Sequence, residues 1–311
     1  MISKKPYYKQ EMSPALEFLT FVGVTLGLLV LGNAIGMGYV IGRYGLDAFK
    51  ALAEMDVNSP LVIKNLWFLQ IVGTTLPILL TPVVFGWLIM KQPKAYLRTN
   101  TNFPVILLLI VFVVMFASTP IMELSVTINR KLSLPGFLKG VEEWMRSAEK
   151  SAQKATAAML KMDTIADMLK SLLLIGLTTA IAEELMFRGS LQTIFLKWTK
   201  NTHAAVWITA ALFSAFHMQF FGFLPRLALG VFFGYFTVWS GSVWPAIWAH
   251  FINNGTAVIF TYLHQHKQIT IDPEGEHTFN YSLYFLSFIF TVALLWSYRK
   301  AALKKNDHPQ Y

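Results

Sequence analysis

The stretch "LLLIGLTTAIAEELMFRGS", residues 172–190, decides how this chain is read. Its first half is apolar enough for lipid, yet its second half carries Glu183, Glu184 and Arg188. Burying one unpaired charge costs several kcal/mol, so charged groups in a hydrophobic helix must pair or serve a purpose. Residues four apart share a helix face, and adjacent residues point about 100° apart. Glu184 and Arg188 are therefore natural partners. Glu183 points elsewhere and has no partner within its own helix. A carboxylate left alone in a water-poor site is suited to general acid–base work.

The rest of the chain extends the apolar theme. Of its 311 residues 55% are hydrophobic and only 14% charged, against about 25% charged in a soluble domain. A helix needs about 20 apolar residues to cross a bilayer. Eight stretches qualify, at roughly 18–41, 67–90, 103–122, 168–187, 203–219, 223–239, 243–262 and 282–298. The expected fold is all-α, a polytopic integral membrane protein of about eight helices around a polar intramembrane cavity. With no repeat and no Pro- or Ser-rich linker, 1–311 reads as a single membrane domain. Cys is absent, which excludes disulfides, thiolate metal sites and a Cys nucleophile. The net charge of +9 is no nucleic-acid signal, because no polar segment carries a basic stripe interleaved with aromatics.

The basic residues instead set orientation. Lys4, Lys5 and Lys9 precede the first span; "KQPKAYLR" (91–98) has three basic residues and no acid. Arg188, Lys197 and Lys200 follow the fourth span, and Arg299, Lys300, Lys304 and Lys305 the eighth. The alternate loops are balanced or acidic, with Asp47, Glu54 and Asp56 in one and Asp272, Glu274 and Glu276 in another. Both termini are expected in the cytoplasm. The first span is too long for a signal peptide and lacks its cleavage site, so it is expected to be retained.

Segment 123–167 is the one long polar insert. Phe137, Val141, Trp144, Met145, Ala148, Ala152 and Ala155 recur at helical spacing, with Lys139, Glu142, Glu143, Arg146 and Glu149 between them. This predicts an extramembrane amphipathic helix, lying on the membrane, capping the bundle or acting as a lid. Gly23/Gly27, Gly32/Gly36, Gly38/Gly42 and Gly230/Gly234 are each four apart and predict close helix packing.

Three further polar residues lie in apolar spans: His217 in "FSAFHMQFF", and His250 and Asn254 one turn apart in "IWAHFINNG". The least costly arrangement turns Glu183, His217, His250 and Asn254 into one cavity. Two chemistries fit it. Glu183 and His217 could hold and deprotonate a water, with His250 and Asn254 donating to an oxyanion. Alternatively Glu183, His217 and His250 could ligate a divalent metal such as zinc, with an open position for water. Spacing alone does not choose. Serine chemistry is weak, since neither Ser190 nor "SGS" (240–242) forms G-x-S-x-G.

Glu183-Glu184-x-x-x-Arg188, Phe213-x-x-x-His217 and His250-x-x-x-Asn254 resemble the three motifs of the CAAX-processing intramembrane protease family. That family includes CAAX prenyl endopeptidases and bacterial immunity-type proteins. The resemblance covers 168–262, which it marks as a catalytic core. It implies an eight-helix fold with a cavity open to the cytoplasm, in a bacterial inner (cell) membrane. It also implies peptide hydrolysis without a covalent intermediate. By position, Glu183 and His217 would activate water, His250 and Asn254 would support the oxyanion, and Glu184 and Arg188 would brace the site. Although such enzymes are often labelled metalloproteases, the favoured version here uses no metal and no other cofactor. Expected partners are the bilayer and a peptide or protein substrate, lipidated or membrane-embedded. Two other classes use the same cavity differently: a non-catalytic immunity or scaffold protein that binds a peptide, and a proton-relaying transporter. The absence of an inverted repeat speaks against the transporter.

Overall fold

The computed structural model describes residues 12–54, 60–270, 272, 275 and 279–304. Lys4, Lys5, Lys9, Asp56, Glu274, Glu276 and Lys305, which enter the charge argument, lie outside them. The described residues form helices and no strand. In chain order these are α1 (Pro14–Ala53), α2 (Leu61–Ile89), α3 (Pro93–Leu97), α4 (Ile106–Ala117) and α5 (Thr119–Arg130). Then follow α6 (Lys139–Met159), α7 (Ile165–Thr199), α8 (Thr202–Phe216), α9 (Phe223–Ser240), α10 (Trp244–Gln265) and α11 (Tyr281–Leu303). The chain is an integral membrane protein of the all-α polytopic class.

The span count differs from the expected eight. Among the described residues five helices are long and apolar enough to cross a membrane, and a sixth if the pair α4 and α5, bent by 47°, is one span. Pro120 lies in the first turn of α5, where its ring excludes the carbonyl of the preceding turn and breaks the helix. Helix α8 has 15 residues, about 22 Å of rise and short of the hydrocarbon core. Helix α10 has 22 residues, but His250, Asn253, Asn254 and His264 dilute its apolar character.

Side chains at the helix starts accept the first free amides, as helix ends require. Ser13 accepts from Leu16, Asn201 from Ala204 and Asn280 from Leu283. Thr164 and Asp167 form a reciprocal capping box at the start of α7. Helix α7 is not uniform. It widens into π-helical turns over Leu172–Thr178 and again over Leu185–Leu191, just beyond Glu184.

Loops expected on one side of the membrane do meet at one end of the bundle. Tyr96 donates to Glu17 at 2.7 Å, and Lys197 reaches Glu17 at 3.1 Å and the Tyr96 hydroxyl at 2.5 Å. This cluster joins the start of α1, the 91–98 loop and the end of α7. Val243 N donates to the Arg98 carbonyl and Asn100 to that of Gly241, adding the α9–α10 turn to the same end. At the opposite end Gln265 binds both Met162 N and Leu160 O, tying the insert to the end of α10.

Among the glycine pairs, Gly230/Gly234 and Gly32/Gly36 pack as expected. A Cβ on Gly230 would meet Ala210 at 3.0 Å, one on Gly234 would meet Val206 at 2.8 Å, and one on Gly36 would meet Leu69 at 2.8 Å. Gly23/Gly27 and Gly38/Gly42 face open space instead. They share α1 with Gly32, but they lie on faces turned away from the bundle. Another close approach is at Gly189, where a Cβ would stand 2.7 Å from the Tyr96 carbonyl oxygen. Gly189→Ala is expected to push the 93–97 segment off α7 and to cost about 1–3 kcal/mol in reversible detergent unfolding.

The insert forms the amphipathic helix α6, whose apolar side is half-buried along its length. Trp144 packs on Phe220 with ring centroids 5.6 Å apart, and the Arg146 guanidinium lies 4.5 Å from the Phe221 ring. Phe137 and Val141 stay exposed. Glu142 accepts from Arg146 at 2.6 Å and from Leu134 N at 2.9 Å. The Arg146 hydrogen bond, aided by the Leu134 amide, holds the Glu142 carboxyl below the usual carboxylate range. A lowered folded pKa contributes stability above the ordinary value, and the contribution is lost as pH falls through the folded one. Protection of the amides around residues 134–146, taken against their intrinsic exchange rates, is therefore expected to fall below about pH 4. Glu142→Gln should lower that protection near neutral pH and converge with wild type where Glu142 is itself protonated.

Candidate active site

The site is built where α7, α8, α9 and α10 converge. Glu184 and Arg188 have no solvent exposure and form an ion pair, Nη1 to Oε1, at 2.8 Å. The local pairing survives the π-helical widening of this segment. π-helical turns inside α-helices gather at functional sites. The Arg188 guanidinium lies over Phe213 at 4.3 Å and near Phe233 at 5.2 Å, and its Nη2 donates to the Gly230 carbonyl at 3.2 Å. Gly230 therefore does more than pack. Lacking a side chain, it lets α9 come close enough for its carbonyl to receive a buried cation.

Glu184 has a second partner that local spacing could not reveal. His250 Nδ1 lies 2.8 Å from the same Glu184 Oε1 that Arg188 holds, across 66 positions of sequence. Arg188, Glu184 and His250 thus form a buried chain of three. The His250 ring stacks on Phe233 with centroids 5.3 Å apart and meets Phe213 edge-on.

Glu183 faces the other way, as its helical position requires. Its Oε2 stands 3.8 Å from His217 Nε2 and 3.8 Å from His250 Nε2. That oxygen is buried and makes no hydrogen bond. His217 caps the end of α8, and its Nδ1 lies 2.8 Å from the Phe213 carbonyl oxygen. A carbonyl only accepts, so Nδ1 carries the hydrogen, and Nε2 of the neutral ring presents a lone pair. Glu184 imposes the same tautomer on His250. Two imidazole nitrogens and one carboxylate oxygen therefore aim acceptor lone pairs at one gap. A gap of 3.8 Å is too wide for direct hydrogen bonds. It suits a water at normal distance from each pair of atoms.

Asn254 lies one turn beyond His250, but its side chain is engaged with α7. Its amide donates to the Ile175 carbonyl at 3.3 Å, and its oxygen accepts from Asn253. One of its two amide hydrogens remains for another acceptor. The structure therefore brings Glu183, Glu184, Arg188, His217 and His250 together and sets Asn254 beside them. Phe213 and Phe233, which wall the site, carry no polar signal that sequence reasoning could weigh; only Phe213 was marked, by its place before His217.

By donor type, Glu183, His217 and His250 would suit zinc. Tetrahedral ligands about 2.1 Å from zinc lie roughly 3.4 Å from one another. The 3.8 Å separations are wider. Among the described residues no three His, Asp or Glu side chains form a metal-holding group. As placed, these side chains do not close around a metal.

Comparison with known proteins points to the same stretch of the chain. Residues 166–256 match the model of the Rce1-like family, described as type II CAAX prenyl endopeptidase Rce1-like. The resemblance seen in the three motifs holds. The matched segment contains Glu183, Glu184, Arg188, His217, His250 and Asn254. The chain is also similar to the uncharacterized protein YpbD of Bacillus subtilis (strain 168), 26% identical over 110 residues. That alignment covers 34% of this chain and 52% of YpbD, so the chain spans about half the length of this curated relative. No solved structure matches.

Proposed function

We propose that the chain is an intramembrane endopeptidase of the CAAX-processing type that hydrolyses peptide bonds with a water activated by Glu183 and His217. The observation that carries this reading is the buried, unpartnered Glu183 Oε2 facing two imidazole Nε2 atoms at 3.8 Å. A water in that gap donates one hydrogen to Glu183 and the other to His217, leaving an oxygen lone pair for attack. As that oxygen bonds to the scissile carbonyl carbon, Glu183 takes one proton. The carbonyl oxygen becomes an oxyanion facing His250, with Asn254 supplying its free amide hydrogen. His250, an acceptor at Nε2 while neutral, donates to the oxyanion only in the form with hydrogen on both ring nitrogens, in which Nδ1 still faces the Glu184 carboxylate. The C–N bond then breaks, the Glu183 proton passes to the leaving amine, and the second water proton passes to His217. No bond forms between enzyme and substrate.

The substrate in this reading is a peptide or protein presented at the membrane, including C-terminally lipidated ones. The Rce1-like match and the apolar walls of Phe213 and Phe233 support that choice. We place the protein in a bacterial inner membrane with both termini in the cytoplasm, which the distribution of Lys and Arg supports. A metal-dependent version has one observation in its favour. Each imidazole ties its Nδ1 to an acceptor, as metal-ligating histidines do.

The test is cleavage of a mixed peptide library, with lipidated members, by detergent-purified protein with and without a strong chelator. Products are read by mass spectrometry. Cleavage that chelation leaves unchanged is the expected result. Cleavage lost on chelation and restored by zinc would transfer Glu183, His217 and His250 to a metal site. Peptide bound and retained uncut would favour the immunity or scaffold class.

A further inference from the structure

A cleft of about 450 Å³ lies between α2 and α7, lined by Ile63, Lys64, Trp67, Ile71, Lys170 and Leu174. Its two residues on α7, Lys170 and Leu174, sit nine or more positions before Glu183, about 13 Å or more of helical rise away. It has two chemistries in one space. Ile63, Trp67, Ile71 and Leu174 give it an apolar floor, while Lys64 and Lys170 place an ammonium on each of its two helices. The Lys170 ammonium lies 4.8 Å from the Trp67 ring centroid, which holds it over the apolar floor.

We propose that this cleft binds one anionic phospholipid, its phosphate between Lys64 and Lys170 and the start of an acyl chain against Trp67, Ile71 and Leu174. Three observations select that occupant. Both helices are long and apolar enough to span a membrane, and the cleft opens within the first ten or so residues of each, where a span meets the headgroups. Leu169 and Leu173, beside Lys170 and Leu174, are exposed apolar side chains, so this flank of α7 faces lipid. The two lysines approach from separate helices, which gives a single phosphate two cationic partners. Asp167, one turn before Lys170, directs its carboxylate to the Thr164 cap. The lining side chains, two cations and four that accept no hydrogen bond, offer no acceptor for the amides of a peptide occupant. The proposal is independent of the peptidase reading.

The experiment is native mass spectrometry of the full chain released from bilayers of mixed phosphatidylcholine and phosphatidylglycerol. Wild type is expected to retain one phosphatidylglycerol in preference to phosphatidylcholine. In the Lys64→Gln/Lys170→Gln double variant that preference should fall roughly thirtyfold, from about fivefold for each lysine beside an anionic surface. Lys154→Gln, which changes another exposed lysine, should leave it intact. A second readout does not depend on the double variant folding. Brominated phosphatidylglycerol should quench wild-type fluorescence more than brominated phosphatidylcholine, and Trp67→Phe should abolish the difference. Equal retention of the two lipids by wild type overturns the proposal. So does an undiminished preference in the double variant, or differential quenching that survives Trp67→Phe.

Discussion

Glu183→Gln is expected to reduce peptide hydrolysis by between about a hundredfold and ten-thousandfold while leaving the fold intact. Gln has the shape of Glu but takes no proton at working pH, so the water in the gap keeps both of its hydrogens. The fold should not notice. Glu183 Oε2 makes no hydrogen bond among the described residues, and the ion pair of this segment belongs to Glu184 and Arg188. The check is a pair of measurements on each protein, the single-turnover cleavage rate and the detergent unfolding midpoint. Equal rates for the variant and wild type would remove Glu183 from the chemistry. A lost rate with an equally lowered midpoint would reduce its role to structure.

Arg188→Met should behave in the opposite way, with stability failing first. Both members of the Arg188–Glu184 pair have no exposed surface, so removing the cation leaves a buried carboxylate facing only His250. Breaking a buried pair from one side costs about 3–5 kcal/mol, because the surviving charge is uncompensated. Glu184→Gln should cost a similar amount, since the buried Arg188 cation then lacks its counter-charge and only a neutral amide oxygen remains to accept from His250 Nδ1. The double variant Glu184→Gln/Arg188→Met should recover part of the loss, since no bare charge remains. Reversible unfolding of the four proteins in mixed micelles gives the coupling energy. Additive losses would mean that the two side chains do not act as a pair.

The two variants separate roles that adjacent residues conceal. Glu183 and Glu184 are chemically identical and neighbours in sequence. Helical geometry sends one toward a gap between two imidazoles and the other into a dry pocket against a guanidinium. Loss of rate from the first position and loss of fold from the second is the pattern expected of that geometry.

Much of this was legible in the sequence because it is local. Long apolar runs can satisfy their backbone in lipid only as helices, so the all-α membrane class followed from composition and length. The Glu184–Arg188 pair followed from four-residue spacing on one helix, and the candidate residues stood out as polar groups in apolar spans. What only the tertiary structure decided concerns which face meets which. The bond from His250 to Glu184 rather than Glu183, the Gly230 carbonyl under Arg188 and the Asn254 contact to Ile175 all join different helices. So does the Glu17–Tyr96–Lys197 cluster. The number of full spans also depended on where α4 and α5 bend and how short α8 is. Helical period is written into neighbouring residues, whereas the partner of each face is set by packing between helices distant in sequence, where no local spacing records it.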